Sequence, residues 1–175
     1  MREGDAVLIS GSVGCHGAAV MLSRAGLSGG DACRSDCRPL HALSEAALRA
    51  GEVRILRDPT RGGVATTLNE FAEDARCTMV LREADVPVRE DVRAACDMLG
   101  LDPLYCANEG KLLCVVPQED AGRALEAMRS VPEGKNAAQI GTVSADRGAG
   151  VLLETAFGGT RILQKLTGAQ LPRIC

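Results

Sequence analysis

Short apolar runs alternate with segments of helical periodicity along most of this 175-residue chain. Four apolar runs predict buried strands, at residues 6–9, 53–56, 77–81 and 111–116. Apolar positions three or four residues apart predict five helices, at residues 18–25, 39–50, 64–72, 89–99 and 118–129. Three more short runs, separated by turns that contain glycine, predict a closing meander at residues 139–143, 150–154 and 159–163.

The order of these elements favours an α+β fold, in which helices cover a sheet of six to eight strands that is part parallel and part antiparallel. The length suits one domain, or one domain with a small appendage. A hydrophobic content of 46% allows an adequate core. Because the chain has no Trp, one Tyr and two Phe, that core must be aliphatic.

The charge and the hydropathy of the chain exclude two classes of partner. The net charge is −3 and no basic cluster is visible, so nothing indicates nucleic acid binding. No apolar run reaches the roughly 18 residues that a membrane span needs. Glu3 and Asp5 lie too close to Arg2 for a secretory signal. We therefore expect a cytoplasmic protein that binds neither nucleic acid nor a membrane.

The stretch from 53 to 75 has the pattern of a strand, a glycine turn and a helix. The strand stops at Asp58-Pro59, and Thr60, Arg61, Gly62 and Gly63 form the turn. Backbone amides at such a turn can approach an anion, and the positive end of the helix dipole favours negative charge there. Arg61 adds a planar donor for phosphate or carboxylate. The alternative is an ordinary connection whose glycines only make the bend.

The same pattern occurs at the beginning of the chain, where the strand at 6–9 leads into the loop Gly11-Ser-Val-Gly-Cys-His-Gly17. His16 in this loop is a candidate general acid–base group or phosphate donor. The alternatives are a histidine that caps the helix and one that faces solvent. A strand this close to the first residue leads us to expect that the chain is part of a larger protein.

Glu109 lies between Asn108 and Gly110, at the mouth of the predicted strand 111–116. A carboxylate in this position can act as a general base once it is partly desolvated. The alternative is a turn glutamate that faces solvent.

The eight cysteines differ in their sequence context. Cys96 and Cys114 stand in apolar runs and are expected to be small buried hydrophobes. Cys33 and Cys37 would need two more ligands to hold zinc. Cys175 ends a tail, 164–175, that could extend about 40 Å and carry a nucleophile into a distant pocket. The alternative is a disordered tail whose final cysteine has no role.

Several of these motifs together resemble one enzyme family. Asp58-Pro-Thr-Arg-Gly-Gly63, Asn108-Glu-Gly-Lys111 and Pro172-Arg-Ile-Cys175 resemble the carbamoyl dehydratases called HypE, which are hydrogenase maturation factors. The loop 11–17 and Ser35-Asp-Cys37 also look like that family, so the resemblance covers essentially the whole chain. The terminal motif is the most specific part. The glycine turns are shared with the wider aminoimidazole ribonucleotide synthetase (PurM-like) superfamily. Cys15 departs from the pattern, because the family usually has aspartate there.

The resemblance implies that this chain is the C-terminal half of a longer enzyme. It implies a three-layer α/β/α domain, partly ferredoxin-like, over residues 1–163, followed by a flexible tail over 164–175. The N-terminal domain that binds ATP and forms the homodimer would be absent, so the chain alone is expected to be inactive.

The resemblance also implies a reaction. A carbamoyltransferase loads a carbamoyl group onto the sulfur of Cys175, and ATP, with Mg²⁺, drives its dehydration to a thiocyanate. Glu109 resembles the carboxylate that removes the nitrogen proton. The cyanide then passes to iron on a scaffold complex for the [NiFe] hydrogenase. The implied cofactor-binding residues are Asp58, Thr60, Arg61, Gly62, Gly63, Asn108 and His16, and no metal site within the protein is implied.

Two alternatives remain open at this point. One is another ATP-using enzyme of the superfamily, such as a selenophosphate synthetase or a thiamine-monophosphate kinase, which would not need a terminal cysteine. The other is a non-enzymatic metal-binding module that uses Cys33, Cys37 and Cys175.

Overall fold

The computed structural model describes residues 1–27, 33–146, 148 and 150–166. Its strands are β1 Ala6–Ile9, β2 Ile55–Arg57, β3 Thr78–Arg82, β4 Leu113–Val116, β5 Ala138–Ser144, β6 Val151–Glu154 and β7 Thr160–Ile162. Its helices are α1 Cys15–Arg24, α2 His41–Ala50, α3 Gly63–Ala75, α4 Glu90–Leu99 and α5 Gln118–Arg129. Each predicted strand and helix is therefore present, with ends that differ by a few residues. No helix in these ranges combines the length and the apolar character that a bilayer crossing requires.

The strands form one mixed sheet in the order β2-β4-β1-β5-β3-β6-β7. All neighbours are antiparallel except β3 and β6, which are parallel. The predicted closing meander is therefore wrong, because β3 lies between β5 and β6 and only β6 and β7 form a hairpin. β3 has buried side chains at Met79 and Leu81, and it pairs with β5 on one side and β6 on the other. Such pairing with a strand far earlier in the chain is not visible in the local pattern of 139–163.

Helices cover both faces of the sheet. Alternate residues of β1 point to opposite faces: Ala6 and Leu8 pack with α2 and α5, whereas Val7 and Ile9 pack with α3. The expected α+β fold, with helices layered on a mixed sheet, is thus confirmed.

A third, smaller cluster joins α1 to α4. It contains four cysteines: Cys15, Cys33, Cys96 and Cys106. The expectation that Cys96 and Cys114 are small buried hydrophobes is confirmed, since both are 0% exposed.

The antiparallel register brings three loops to one edge of the sheet. Leu113, at the start of β4, is paired with Ile9 at the end of β1 and with Arg57 at the end of β2. The segments that follow β1 and β2, and the segment that precedes β4, therefore emerge side by side. These are the three segments in which the sequence places its candidate site.

Replacement of two glycines by alanine is expected to change the free energy of unfolding in opposite directions. A Cβ at Gly141 in β5 would lie 2.2 Å from the carbonyl oxygen of Val80, whereas one at Gly122 in α5 would meet nothing within 4 Å. We expect Gly141→Ala to lower the free energy of unfolding by about 1–3 kcal/mol. Gly122→Ala should raise it by roughly 0.5–1 kcal/mol. Urea denaturation measures both, and equal effects of the two changes would contradict this account of the sheet.

Candidate functional site

Asn108 connects the three loops at the sheet edge. Its side-chain oxygen accepts a hydrogen bond from the N–H of Gly14 at 2.7 Å, and its amide group donates to the carbonyls of Cys106 at 2.9 Å and Pro59 at 3.2 Å. Its own backbone N–H also donates to Pro59 O at 3.2 Å. Asn108 is 0% exposed, so these bonds satisfy backbone groups where water has little access.

Glycines allow the loops to approach this closely. Gly63 has φ +62°, and a Cβ there would lie 2.5 Å from the carbonyl oxygen of Leu104. A Cβ on Gly17 would lie 2.8 Å from the backbone nitrogen of Ala107, whose carbonyl accepts the Gly17 N–H at 3.0 Å. The segment that precedes Asn108 is therefore held between the first turns of α1 and α3.

The segment Ser35–Cys37 closes the site from another side. Nδ1 of His16 lies 2.8 Å from the hydroxyl oxygen of Ser35. The carboxylate of Asp36 forms an ion pair with Lys111, and both side chains are about nine-tenths buried. A Cβ on Gly110 would lie 1.8 Å from the carbonyl oxygen of Asp36, so only glycine fits beneath this segment.

A cleft of about 430 Å³ brings two candidate carboxylates together. Asp58 and Glu109 both line it, and Arg38 and Arg57 lie among its other walls. Asp58 is exposed and Glu109 is partly buried. Arg57 also pairs with Glu70 on α3.

The N-terminus of α3 has the character of a phosphate-binding site. Gly62 occupies the N-cap in the left-handed conformation, no side chain caps the helix, and its first turn has no acidic residue. Thr60 accepts the Gly63 N–H through its carbonyl, and Arg61 is exposed beside the turn. Helix amides without a side-chain cap and a guanidinium are donors that suit a polyphosphate, and the helix dipole favours its negative charge. The exposed carboxylate of Asp58 suits a hard cation such as Mg²⁺. These residues therefore fit a bound nucleotide phosphate.

The last described residues run along α3 toward this end of the helix. The carbonyl of Leu163 accepts a hydrogen bond from Asn69, and three residues later the N–H of Leu166 donates to Thr66. Between them, the carbonyl of Gln164 accepts the hydroxyl of Tyr105 at 2.9 Å. The chain thus approaches the turn at Gly62 as it advances toward residue 166.

The environment of the thiols limits which of them can react. Burial raises the pKa of Cys114 to about 12, and burial followed by the nearby Asp36 carboxylate raises the pKa of Cys15. The hydrogen bond with Cys96 raises the pKa of the buried Cys106 thiol. These thiols stay protonated near neutral pH and are poor nucleophiles. Cys37 is exposed.

The seven cysteines at 15, 33, 37, 77, 96, 106 and 114 are free thiols. In the described ranges, no group of three or more His, Cys, Asp or Glu side chains could hold a metal ion. Cys175 lies outside the described residues, so the metal-binding alternative that includes it stays untested.

Comparison with known proteins identifies the family. Residues 2–154 match the family model described as AIR synthase related protein, C-terminal domain. The chain belongs to this family. The match agrees with the PurM-like C-terminal fold that the motifs led us to expect.

Its relatives are hydrogenase maturation proteins. The carbamoyl dehydratase HypE of Azotobacter vinelandii is 54% identical over 175 residues, covering 99% of this chain and 51% of that protein. A crystal structure of HypE in complex with ATP has a TM-score of 0.93 and 49% identity, and covers 99% of this chain and 53% of that one. A crystal structure of a HypE–HypF complex has a TM-score of 0.86 and 43% identity, and the match covers 93% of this chain and 53% of that one. The chain spans about half the length of the curated relatives it matches.

Within this AIR synthase related domain, the structure brings most of the predicted site together. Asp58, Asn108 and Glu109 lie in the connected loops, and Thr60 to Gly62 form the turn before α3. The prediction that His16 lies in a loop is wrong, because His16 is the second residue of α1, where its ring contacts Ser35. Cys175 lies outside the described residues.

Sequence reasoning assigned no role to three residues of this site. These are Asp36, Arg38 and Lys111. The ion pair joins residues 75 positions apart, and nothing in local spacing indicates it.

We expect Asn108→Ala to lower the free energy of unfolding by about 2–4 kcal/mol, because it removes the buried partner of the Gly14 N–H and of the Cys106 carbonyl. The exposed Asn136→Ala is the matched control and should stay within about 0.5 kcal/mol of the wild type. Urea denaturation measures both. Equal stability of the two variants would show that Asn108 does not hold the loops.

Proposed function

We propose that this chain is the C-terminal domain of an ATP-dependent carbamoyl dehydratase that converts carbamoylated Cys175 to a thiocyanate. The product would supply cyanide ligands for maturation of the [NiFe] hydrogenase. The observation that carries the proposal is the meeting of the loops that contain Gly14, Asp58 and Asn108, with His16 in the first turn of α1, beside a cleft lined by Glu109. The names of the relatives at about half identity support the same reaction.

The reaction removes the elements of water from an S-linked carbamoyl group. ATP supplies a phosphoryl group to the amide oxygen, so that this oxygen departs as phosphate. The nitrogen must lose both of its protons: Glu109 takes one, and the other leaves with the phosphate. Its partial burial in the cleft, beside the fixed backbone of Asn108, suits a positioned general base.

In this proposal the phosphates of ATP bind at the turn before α3. The amide of Gly62 and the amides of the first turn of α3 beyond Gly63, with Thr60 and Arg61, would hold the phosphates, and Asp58 would hold Mg²⁺. The side-chain amide of Asn108 is already engaged with three backbone groups. We therefore assign Asn108 the task of orienting the loops, and His16, through Ser35, a similar task at the neighbouring segment.

The tail is the carrier in this proposal. Nine residues follow Leu166, and an extended stretch of that length spans up to about 30 Å. Thr66, which contacts Leu166, is four helical residues, or about 6 Å, from the turn at Gly62. The tail is thus long enough to bring Cys175 to the cleft and also to withdraw it.

The proposal includes groups beyond this chain. We assign most of the nucleotide contacts and the homodimer interface to an N-terminal domain; the relatives are about twice as long as this chain. A HypF-type carbamoyltransferase would load the thiol, which the solved HypE–HypF complex supports, and an iron-carrying scaffold would accept the cyanide. A carrier thiol needs a reducing compartment, which supports a cytoplasmic location.

Cys175→Ala is expected to abolish adduct formation without unfolding the domain, because it removes the carrier sulfur. The full-length protein that contains this chain would be mixed with the carbamoyltransferase, carbamoyl phosphate and ATP. For the wild type, mass spectrometry of the terminal peptide should detect a carbamoyl adduct that then loses one water. For Cys175→Ala it should detect neither mass.

Cys37→Ala is the matched control, because Cys37 is the exposed thiol of the described residues next to this site. It should leave the adduct on Cys175 intact. An adduct on Cys37 of the Cys175→Ala variant would reject the assignment of the carrier.

Glu109→Gln is expected to permit loading and to slow dehydration by roughly 10²–10⁴-fold, since the amide cannot take the proton. Glu119→Gln, at an exposed position on α5, is the control and should leave the rate unchanged. The ratio of carbamoyl to thiocyanate peptide over time measures both. Normal product formation by Glu109→Gln would show that another group is the base.

A further inference from the structure

The buried ion pair between Asp36 and Lys111 has no part in the reaction described above. Asp36 and Lys111 are 6% and 8% exposed, so both charges lie away from bulk water. Burying two charges costs free energy that their attraction does not always repay, so such a pair is weak evidence of a purely stabilising role.

Oδ1, the carboxylate oxygen of Asp36 that does not bond Lys111, is also unfavourable for stability. Oδ1 of Asp36 is buried and has no hydrogen-bond partner within the described part of the chain. An unpaired acceptor at a buried position lowers stability, and in a native protein it calls for an explanation. Stability alone therefore does not account for the pair.

The contacts of the pair converge on Gly110, the neighbour of Glu109. The ammonium of Lys111 donates to the carbonyl of Gly110 at 3.0 Å as well as to Asp36. The carbonyl of Asp36 packs directly against the Cα of Gly110, and the guanidinium of Arg38 donates to that same carbonyl at 3.1 Å. The peptide after Glu109 is held from this side.

The peptide before Glu109 is held by a second set of contacts. Asn108 is bonded there to Pro59 and Gly14. Glu109 is thus the partly buried residue between two fixed and buried neighbours, and its backbone cannot shift unless one of these sets of contacts breaks.

We propose that Asp36 and Lys111 are positioning residues that hold the Glu109–Gly110 peptide so that the Glu109 carboxylate stays directed into the cleft. The inference rests on the proposed function for the role of Glu109, but its structural part does not. A displacement of about 1 Å is enough to cost a catalytic group much of its rate.

The test uses Asp36→Asn and Lys111→Met, with Asp5→Asn as the matched control. Asp5 is 4% exposed and pairs with Arg54, so the control also removes a buried carboxylate from an ion pair, but away from this site. A merely stabilising pair predicts the same outcome for all three variants, once global stability has been measured by urea denaturation.

The first measurement is amide hydrogen exchange of the 175-residue chain. We expect exchange in residues 106–112 to rise by at least about tenfold in Asp36→Asn and Lys111→Met, beyond the change due to global stability, and not in Asp5→Asn. This measurement does not depend on any activity. Unchanged local exchange in both variants would overturn the proposal even if the dehydratase reaction were established.

The second measurement is the dehydration rate of the full-length protein that contains this chain. Asp36→Asn should lower kcat by at least about tenfold and leave the KM for ATP within about twofold, whereas Asp5→Asn should leave both unchanged. An equal loss in Asp36→Asn and Asp5→Asn would also overturn the positioning role. A wild-type protein without dehydratase activity would instead reject the proposed function, and hydrogen exchange would still decide the structural part.

Discussion

The structure depends most on the hydrogen bonds of one buried side chain, Asn108. Three loops leave the same edge of the sheet, and the backbone groups where they meet cannot all pair within strands or helices. An asparagine side chain offers one acceptor and two donors, and here it bonds Gly14, Cys106 and Pro59. Aspartate has no amide donor and alanine has neither group, so the loops could not meet in this way around another small residue.

The glycines follow from the same constraint. Where two backbone segments touch, there is no room for a side chain between them. Gly17, Gly63 and Gly110 lie at such contacts, where a Cβ would overlap the backbone of the neighbouring segment. Gly62, the neighbour of Gly63, is the N-cap of α3 and leaves its first turn uncapped by a side chain, which is the feature that suits an anion. Close packing of the loops and the capacity to hold phosphate therefore arise from one arrangement, and a change that loosens the first should weaken the second.

Sequence patterns predicted the elements because each depends on neighbours within a few residues. The helix 118–129 and the strand 6–9 were found with the ends that the structure has. The order of strands was not predictable, since the insertion of β3 between β5 and β6 depends on pairing with distant residues. The residues of the site also fall into those that local sequence indicates and those that depend on distant parts of the chain. Gly62 and Glu109 stand at recognisable turns, whereas the Asp36–Lys111 pair joins two motifs that only the fold brings together.

A substrate that is attached to its own enzyme changes what the site has to provide. On the proposed function, the carbamoyl group arrives on a tail that begins beside α3, so its local concentration is set by the length of the tail and not by affinity. The cleft then needs few groups that recognise the substrate, but it still needs accurate placement of the base, because tethering does not orient the reacting atoms. On this account, the contacts of Asn108 and of the Asp36–Lys111 pair fix the backbone before and after Glu109, and the cleft beside it needs only to admit the reacting group.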